Sequence, residues 1–595
     1  MGESVRFRQG KLYGDFGLIF KFIRRNRRTY IGGIASLLLV DTLQLIQPRI
    51  LGRMADDYKA GILTRSGILR YIAIILGMAL AIAIGRFFWR QLIMGAARRL
   101  EFDLRGELFR HFERLPASYY DQHKIGDLMA HATNDIHAVR MAAAQGVVLS
   151  VDSTFLAAST VVIMLKTVDA RLTVLALLPL PALAMTTAFL GRAIHTRFKG
   201  VQDAFAKLTD RVQENLSGIR VVKSFLQEKA EIERFQEANQ SNLAANVRLV
   251  RLWGAFGPLI QMLSGLSFVI VLGYGGSLAI RGDISLGDFV AFTGYLGLLT
   301  WPVMAIGWVV NILQRGAASL DRINAILRVK PEIVDHENPA PVSSIDGHIE
   351  FRHLTFTYPG REKPALEDIN LVVEKGKTLA IVGRSGSGKT TLANLIVRLY
   401  DPGPGQLFVD GHDITRIPLK VLRRAIGYVP QDNFLFSTSI RKNIEFARED
   451  LSGRAVMEAV ETAQLAGDLE GLPDGLDTVI GERGVTLSGG QRQRACIARA
   501  IVKDPAILIL DDCLSAVDTS TEDRILRGLR QIMRGRTSIM ISHRLSTVKE
   551  ADEIVVLDEG RIVERGNHEA LMAMGGLYHD MYQRQLLEEE LAVVD

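Results

Sequence analysis

Glycine, lysine and threonine fall at Gly383–Thr390 in the order GRSGSGKT, which has the spacing G-x-x-x-x-G-K-[ST]. The apolar, strand-like stretch Thr378–Val382 precedes this run and the helix-like stretch Thr391–Leu399 follows it. Strand before and helix after make the run a phosphate cradle rather than a glycine-rich turn. Glycines let backbone N–H groups face phosphate oxygens, and the N-terminus of the helix adds partial positive charge. Lys389 has the reach for β- and γ-phosphate oxygens and Thr390 the hydroxyl for Mg²⁺, with Gly383, Arg384, Ser385, Gly386, Ser387, Gly388 and Thr391 completing the cradle. A second apolar strand, Ala506–Leu510, ends in Asp511, the form of carboxylate that holds the metal of such a site. The chemistry implied is binding of ATP or GTP with Mg²⁺.

Between these two runs lies LSGGQ, Leu487–Gln491. At this point the chain resembles the ABC transporter family, whose signature that pentapeptide is, and the likeness runs residue by residue through the nucleotide-binding half. Tyr358, in FTYP, is similar to the aromatic that stacks on adenine; Gln431, in YVPQD, to the glutamine that senses Mg²⁺ and the attacking water; His543, in ISHRL, to the switch histidine near the γ-phosphate. Ser515–Asp518 (SAVD) resembles the loop that crosses the dimer interface, which brings Asp518 into the set. A lone Tyr, Gln or His is usually a packing or surface residue, but six motifs in family order at family spacing carry the resemblance together. It implies ATP as the nucleotide and two nucleotide domains facing head to tail, so that Ser488, Gly489, Gly490 and Gln491 serve the ATP of a partner.

One residue departs from the family pattern. Where the resemblance implies a glutamate that positions or deprotonates water, this chain has Asp512, one methylene shorter. A misplacement of about 1 Å costs on the order of 100-fold in rate, so the site is expected to hydrolyse slowly. The segment DDCLSAVD resembles that of the degenerate-site subunit in heterodimeric multidrug exporters, which implies a different partner chain that carries the glutamate. The alternative is a homodimer in which a small backbone shift lets Asp512 work as it stands.

Of 595 residues, 48% are hydrophobic, with a mean hydropathy of +0.16, too apolar for a soluble enzyme of this size. The excess precedes residue 315. Six stretches there have about the 20 residues a bilayer crossing needs: roughly Tyr30–Leu51, Ile68–Ile93, Val147–Leu165, Leu172–Leu190, Gly254–Ile280 and Leu286–Leu313. The connectors after the second and fourth are long and basic, which places them, both termini and the nucleotide domain in the cytoplasm by the positive-inside rule. Within these connectors LPASYYDQ (Leu115–Gln122) and ENLSGIRVVKSF (Glu214–Phe225) resemble the coupling helices that dock on nucleotide domains. Asp41, Gln44, Gln47, Arg86 and Asp152 interrupt the apolar spans, and should face protein or a water-filled cavity. Cys496 and Cys513 suit a reduced cytosolic domain and suggest neither a disulfide framework nor a zinc site. A net charge of +6 needs no nucleic-acid partner; anionic lipid explains the basic N-terminus better.

The expected fold is multi-domain: an all-α six-helix transmembrane domain followed by an α/β P-loop ATPase domain with a helical signature subdomain. The expected limits are 1–28 for an N-terminal cytoplasmic or interfacial segment, 29–320 for the membrane domain, 321–345 for a linker, 346–580 for the nucleotide domain and 581–595 for an acidic tail. The lack of a targeting sequence suggests a bacterial inner membrane. Resemblance implies export of a hydrophobic or amphipathic cargo, of drug or lipid class, driven by ATP and Mg²⁺ in a dimer with a second half-transporter. A nucleotide-gated channel or regulator is the alternative of a different class.

Overall fold

The computed structural model describes residues 17–448, 450–481, 487–514 and 519–594. It divides into two compact units, one formed by 17–113 and 126–329, the other by 114–125 and the described residues from 330 onward.

Among the described residues of the first unit, six helices are long and apolar enough to cross a membrane: Arg27–Lys59, Arg65–Phe112, Ile125–Lys166, Ala170–Ser217, Glu228–Arg281 and Leu286–Leu327. They are called the first to sixth spans. Each contains its predicted apolar stretch and most run well beyond it. Short polar side chains start three of them: Thr64, Asp169 and Ser285 accept hydrogen bonds from Gly67 N, Leu172 N and Asp288 N. Pro48, Pro258 and Pro302 lie inside helices. Single turns of π-helix interrupt the second, third and fifth spans at Arg90–Met94, His131–Asp135, Ala142–Gly146 and Val271–Gly275.

The first span packs against the second, third and sixth, while the fourth and fifth run along each other. Small residues set the closest approach, since in lipid it is van der Waals packing rather than apolar burial that favours helix contact. A Cβ on Gly52 would stand 2.4 Å from Gly287 O. Polar groups lock the same crossing: Asp56 accepts from Gly287 N at 2.6 Å and from the Ser285 hydroxyl at 2.8 Å, and Arg49 pairs with Asp288 at 2.5 Å. At the far end of the sixth span, Asp135 accepts from Ser319 Oγ and Arg322 Nε, both at 2.9 Å.

The second unit has two sheets. One holds β1 (Ile349–Phe356), β2 (Leu366–Val373), β4 (Leu407–Val409) and β5 (His412–Asp413) in the antiparallel order β2-β1-β4-β5. The other runs β10-β9-β3-β8-β7-β6, from β3 (Thr378–Gly383), β6 (Ile426–Val429), β7 (Ile507–Asp511), β8 (Thr537–Ile541), β9 (Glu553–Asp558) and β10 (Arg561–Gly566). Its five strands β9, β3, β8, β7 and β6 are parallel, with β10 antiparallel at the edge. Parallel strands need both faces covered, and alternation supplies two apolar faces. Leu379, Ile381, Ile507 and Ile509 enter one core with the antiparallel sheet; Ala380, Val382, Leu508 and Leu510 enter a second, with the helices of 440–501.

The predicted coupling segment after the second span groups with this second unit. Its short helix, Ala117–Gln122, offers Asp121 to the Tyr400 hydroxyl and Ser118 to Glu332. The corresponding segment after the fourth span, with its helix Ile219–Ser224, belongs to the first unit, and Val221, Phe225 and Leu226 there are exposed. The last helix, Leu577–Val594, includes residues 581–594 of the predicted acidic tail; Asp595 lies outside the described residues.

Candidate nucleotide site

β3 ends at Gly383, and the chain then turns through Arg384–Gly388 into the helix Lys389–Ile396. Glycine is required at both ends of this turn. Gly383 has φ +148°, and a Cβ there would lie 2.1 Å from Leu557 O; Gly388 has φ +102°, and its Cβ would lie 2.7 Å from Ala365 O. The helix starts at Lys389, two residues before the sequence-predicted start, so the amides of its first turn face the loop. Lys389 is buried and donates to Gly383 O at 2.9 Å and Arg384 O at 2.8 Å, which ties its ammonium across the loop.

The carboxyl ends of β3, β6, β7 and β8 open on one side of the sheet, where parallel α/β folds bind ligands. A cavity of about 300 Å³ lies there, lined by Tyr358, Ala365, Ser385, Gly386, Ser387, Gly388, Lys389, Thr390, Thr391, Gln431, Asp511, Asp512, Ile541 and His543. Residues 185 positions apart in sequence, Tyr358 and His543, thus share one wall. Gly383 and Arg384 contribute through their carbonyls to Lys389. Ala365 and Ile541 carry no sequence signal, being ordinary apolar residues that the sheet happens to place there.

Asp511 is 1% exposed, accepts from the Thr390 hydroxyl, and leaves Oδ2 without a hydrogen-bond partner. Burial raises its carboxyl to about 6; the Thr390 hydrogen bond and Lys389 oppose the rise, and Asp512 adds to it. Burial likewise lowers Lys389, against the pull of Asp511 and Asp512. An unsatisfied buried carboxylate oxygen beside a hydroxyl is a hard oxygen donor set of the kind Mg²⁺ takes, and the glycine-built loop leaves space for phosphates. The residues therefore fit Mg²⁺-bound nucleotide.

Asp512 is half-buried, with φ +47°, and its N–H donates to Ile541 O at 2.8 Å. Aspartate tolerates this left-handed conformation better than longer side chains, because its short polar group bonds locally. His543 follows β8 and is exposed; its neighbour Arg544 is held by Glu522, which also accepts from Thr547 Oγ1 at 2.6 Å. Sequence reasoning misses Glu522, since nothing local marks its partnership with residues more than 20 positions away. Tyr358 donates to Thr391 Oγ1 at 3.0 Å and meets Tyr400 edge-on, ring centroids 5.0 Å apart.

Ser488, Gly489, Gly490 and Gln491 are not among the residues around that cavity. Ser488 caps the helix Gly489–Ile501 in a reciprocal box: its Oγ accepts from Gln491 N at 3.2 Å, and Gln491 Oε1 accepts from Ser488 N at 2.9 Å. Asp468 fastens this turn through Gln491 Nε2 at 3.1 Å and Arg494 at 2.6 Å. Asp518 and the rest of Ser515–Asp518 lie outside the described residues.

Two family models match the chain: ABC transporter transmembrane region over residues 30–303, and ABC transporter over 366–515. The chain is 41% identical, over 94% of its length and 95% of the relative's, to a probable multidrug resistance ABC transporter ATP-binding/permease protein, YheI, of Bacillus subtilis (strain 168). It is 38% identical over 97% of both chains to the multidrug resistance-like ATP-binding protein MdlA of Escherichia coli (strain K12). An ATP-dependent lipid A-core flippase of Syntrophus aciditrophicus (strain SB) is 36% identical over 85% of this chain and 84% of its own. Among solved structures, that of a bacterial Atm1-family ABC exporter with ATP bound matches with a TM-score of 0.77 at 28% identity, covering 94% of this chain and 98% of the other. With six spans ahead of an ATP-binding unit, the chain belongs to the ABC transporter family, as an ATP-hydrolysing exporter that crosses the bacterial inner membrane several times and keeps its ATPase domain in the cytoplasm.

Proposed function

We propose that this chain is one half of a heterodimeric exporter of hydrophobic or amphipathic compounds, of drug or lipid class, whose own ATP site is slow. The observation that carries the reading is Asp512: the carboxylate next to buried Asp511 is one methylene shorter than the glutamate the family uses. In this reading the loop amides, Lys389 and Tyr358 bind and orient ATP; Thr390, Asp511 and Gln431 hold Mg²⁺. When bound, Mg²⁺ neutralises charge on the β- and γ-phosphates. Gln431 orients water, Asp512 accepts its proton from too far away, and His543 faces the γ-phosphate. Ser488–Gln491, remote from this cavity within the chain, contact the ATP of the second subunit, and Asp518 lies at the interface between the subunits. The exposed Val221, Phe225 and Leu226 support a second half-transporter, because three apolar side chains at one helical tip call for a cover. Cargo class is supported by the names of the relatives and by the apolar spans.

The test is the intact mass of the complex captured from its native membrane through a tag on this chain. A second subunit of similar size, with glutamate after its metal-holding aspartate, is the expected result. A complex containing this chain twice refutes the heterodimer and makes Asp512 the carboxylate of both sites.

A further inference from the structure

His543 reaches the nucleotide cavity from a loop, residues 542–544, between β8 and the short helix Leu545–Val548. Its ring is exposed and, among the described residues, makes no hydrogen bond or ion pair. The place of the imidazole is therefore set by the backbone on either side of it. On one side β8 is fixed in the sheet between β3 and β7, and the buried Ser542 accepts from Arg544 N at its Oγ, 2.9 Å away. On the other side the chain enters a helix of four residues, whose N-cap, Arg544, supplies no side-chain acceptor. A helix start leaves its first N–H groups without partners inside the helix. Leu545 is 1% exposed, so its amide needs a partner from the protein.

That partner comes from 40 positions further along the chain: Leu545 N donates to Gln585 Oε1 at 2.8 Å. Gln585 is half-buried on the last helix, Leu577–Val594. The first turns of this helix are docked. Tyr578 is fully buried, its N–H donates to Glu564 at 3.0 Å and its hydroxyl meets His568 Nδ1 at 2.8 Å. Leu577, Met581 and Tyr582 pack on the core that also holds Leu545 and Val548. A rise of 1.5 Å per residue puts Gln585 about 10 Å along the axis from Tyr578, where its amide reaches the backbone two residues after His543. Glu522, which holds Arg544 and Thr547, steadies the same loop from a different helix.

We propose that Gln585 is a positioning residue for His543: its amide oxygen holds the backbone at Leu545 so that the imidazole keeps its place toward the γ-phosphate. The inference rests on the role proposed above for His543. Gln585 is not among the residues around the cavity, so it acts on nucleotide through Leu545 and the loop. A bond from imidazole to a phosphate oxygen is charge-assisted and needs a separation of about 2.8 Å, and it weakens steeply when the loop drifts. The last helix lies beyond residues 366–515, which match the nucleotide-domain family model, yet it takes part in the site. Displacing it releases Leu545 N and loosens the one group that distinguishes ATP from ADP on this wall of the cavity.

The test uses the full-length transporter, with whatever second subunit it assembles with, in lipid nanodiscs. AMP-PNP, which keeps a γ-phosphate but is not hydrolysed, and ADP each compete with an azido-ADP photolabel for this chain. Gln585→Leu removes the acceptor at nearly the same volume and is expected to weaken AMP-PNP about fivefold, while ADP stays within about twofold. Gln585→Glu keeps an oxygen at that place and is expected to restore the preference. General loosening of the fold weakens both nucleotides alike, so equal losses overturn the proposal, as does an unchanged AMP-PNP affinity. His543→Ala separates this inference from the reading beneath it. If that variant leaves the preference for AMP-PNP intact, the role of His543 falls and this proposal with it; if it lowers the preference and Gln585→Leu does not, the positioning role alone falls. In the double variant the two losses are expected not to add, and additive losses overturn the link through His543. Hydrogen exchange of the parent protein is read without any variant: the Leu545 amide is expected to be protected, and exchange at the rate of a free peptide overturns the proposal.

Discussion

Replacing Asp512 with glutamate lengthens the carboxylate by one methylene at the wall of the nucleotide cavity. If the shortfall is about 1 Å, restoring it returns on the order of 100-fold in rate, equivalent to about 2.7 kcal/mol of barrier. Backbone strain works the other way. Residue 512 sits at φ +47°, where a residue other than glycine pays roughly 1–2 kcal/mol and aspartate least, so the variant should lose under about 1 kcal/mol of stability. The gain in rate exceeds that loss. The assay follows the lifetime of radiolabelled ATP occluded at this chain's site, which under the proposed function isolates it from hydrolysis at the second subunit's site. The parent protein is expected to hold ATP through many catalytic cycles, and Asp512→Glu to shorten that lifetime about 100-fold. A parent lifetime no longer than one cycle, or a lifetime that glutamate leaves unchanged, refutes the reasoning that side-chain reach limits this site.

Three further outcomes follow from the same geometry. Gly383→Ala puts a methyl 2.1 Å from Leu557 O at a left-handed position, and is expected to cost at least about 3 kcal/mol; the check is loss of ATP-dependent thermal stabilisation together with a lower melting temperature. Tyr400→Phe removes the hydroxyl that donates to Asp121 while leaving the ring against Tyr358; ATP affinity should stay within about twofold and stability fall by about 1–2 kcal/mol, with cargo-stimulated ATPase lost, as measured by titrating turnover with a transported dye. Burial alone would raise the Asp552 carboxyl, but hydrogen bonds from Lys377 Nζ and Thr378 N, both 2.8 Å, hold it below its usual value. A depressed carboxyl stabilises the fold above its unfolded value and loses that contribution as pH falls through the folded one. Because the pair is partly exposed, Asp552→Asn should cost no more than about 1 kcal/mol at pH 7 and progressively less as pH falls through the lowered carboxyl's titration, read from melting temperatures across that range.

The cradle GRSGSGKT, the strand leading to Asp511 and the six apolar stretches are local patterns, so sequence alone determined that the chain binds a nucleotide and spans a membrane. Phosphate binding by a loop needs only glycine at fixed offsets and a following helix, and bilayer crossing needs only a length of apolar chain; both requirements are written in consecutive residues. Sequence also showed the departure at Asp512, because a missing methylene is visible without coordinates. Tertiary structure decided what depends on distant pairs. It put Gln431, Asp511, Asp512 and His543 on one cavity through the strand order of the parallel sheet, and left Ser488–Gln491 away from it. It grouped Ala117–Gln122 with the nucleotide unit through Asp121 and Tyr400, a hydrogen bond across 279 positions, and set Glu522 under Arg544 beside His543. The same holds for Asp41, buried with no donor to either carboxylate oxygen, and for Gln44 and Arg86, which line one cavity. Each reads in sequence as a lone polar residue in an apolar helix, and whether it faces lipid, a cavity or another charge depends on helix rotation, which close packing at Gly85, Gly52 and Gly287 fixes and no local pattern encodes.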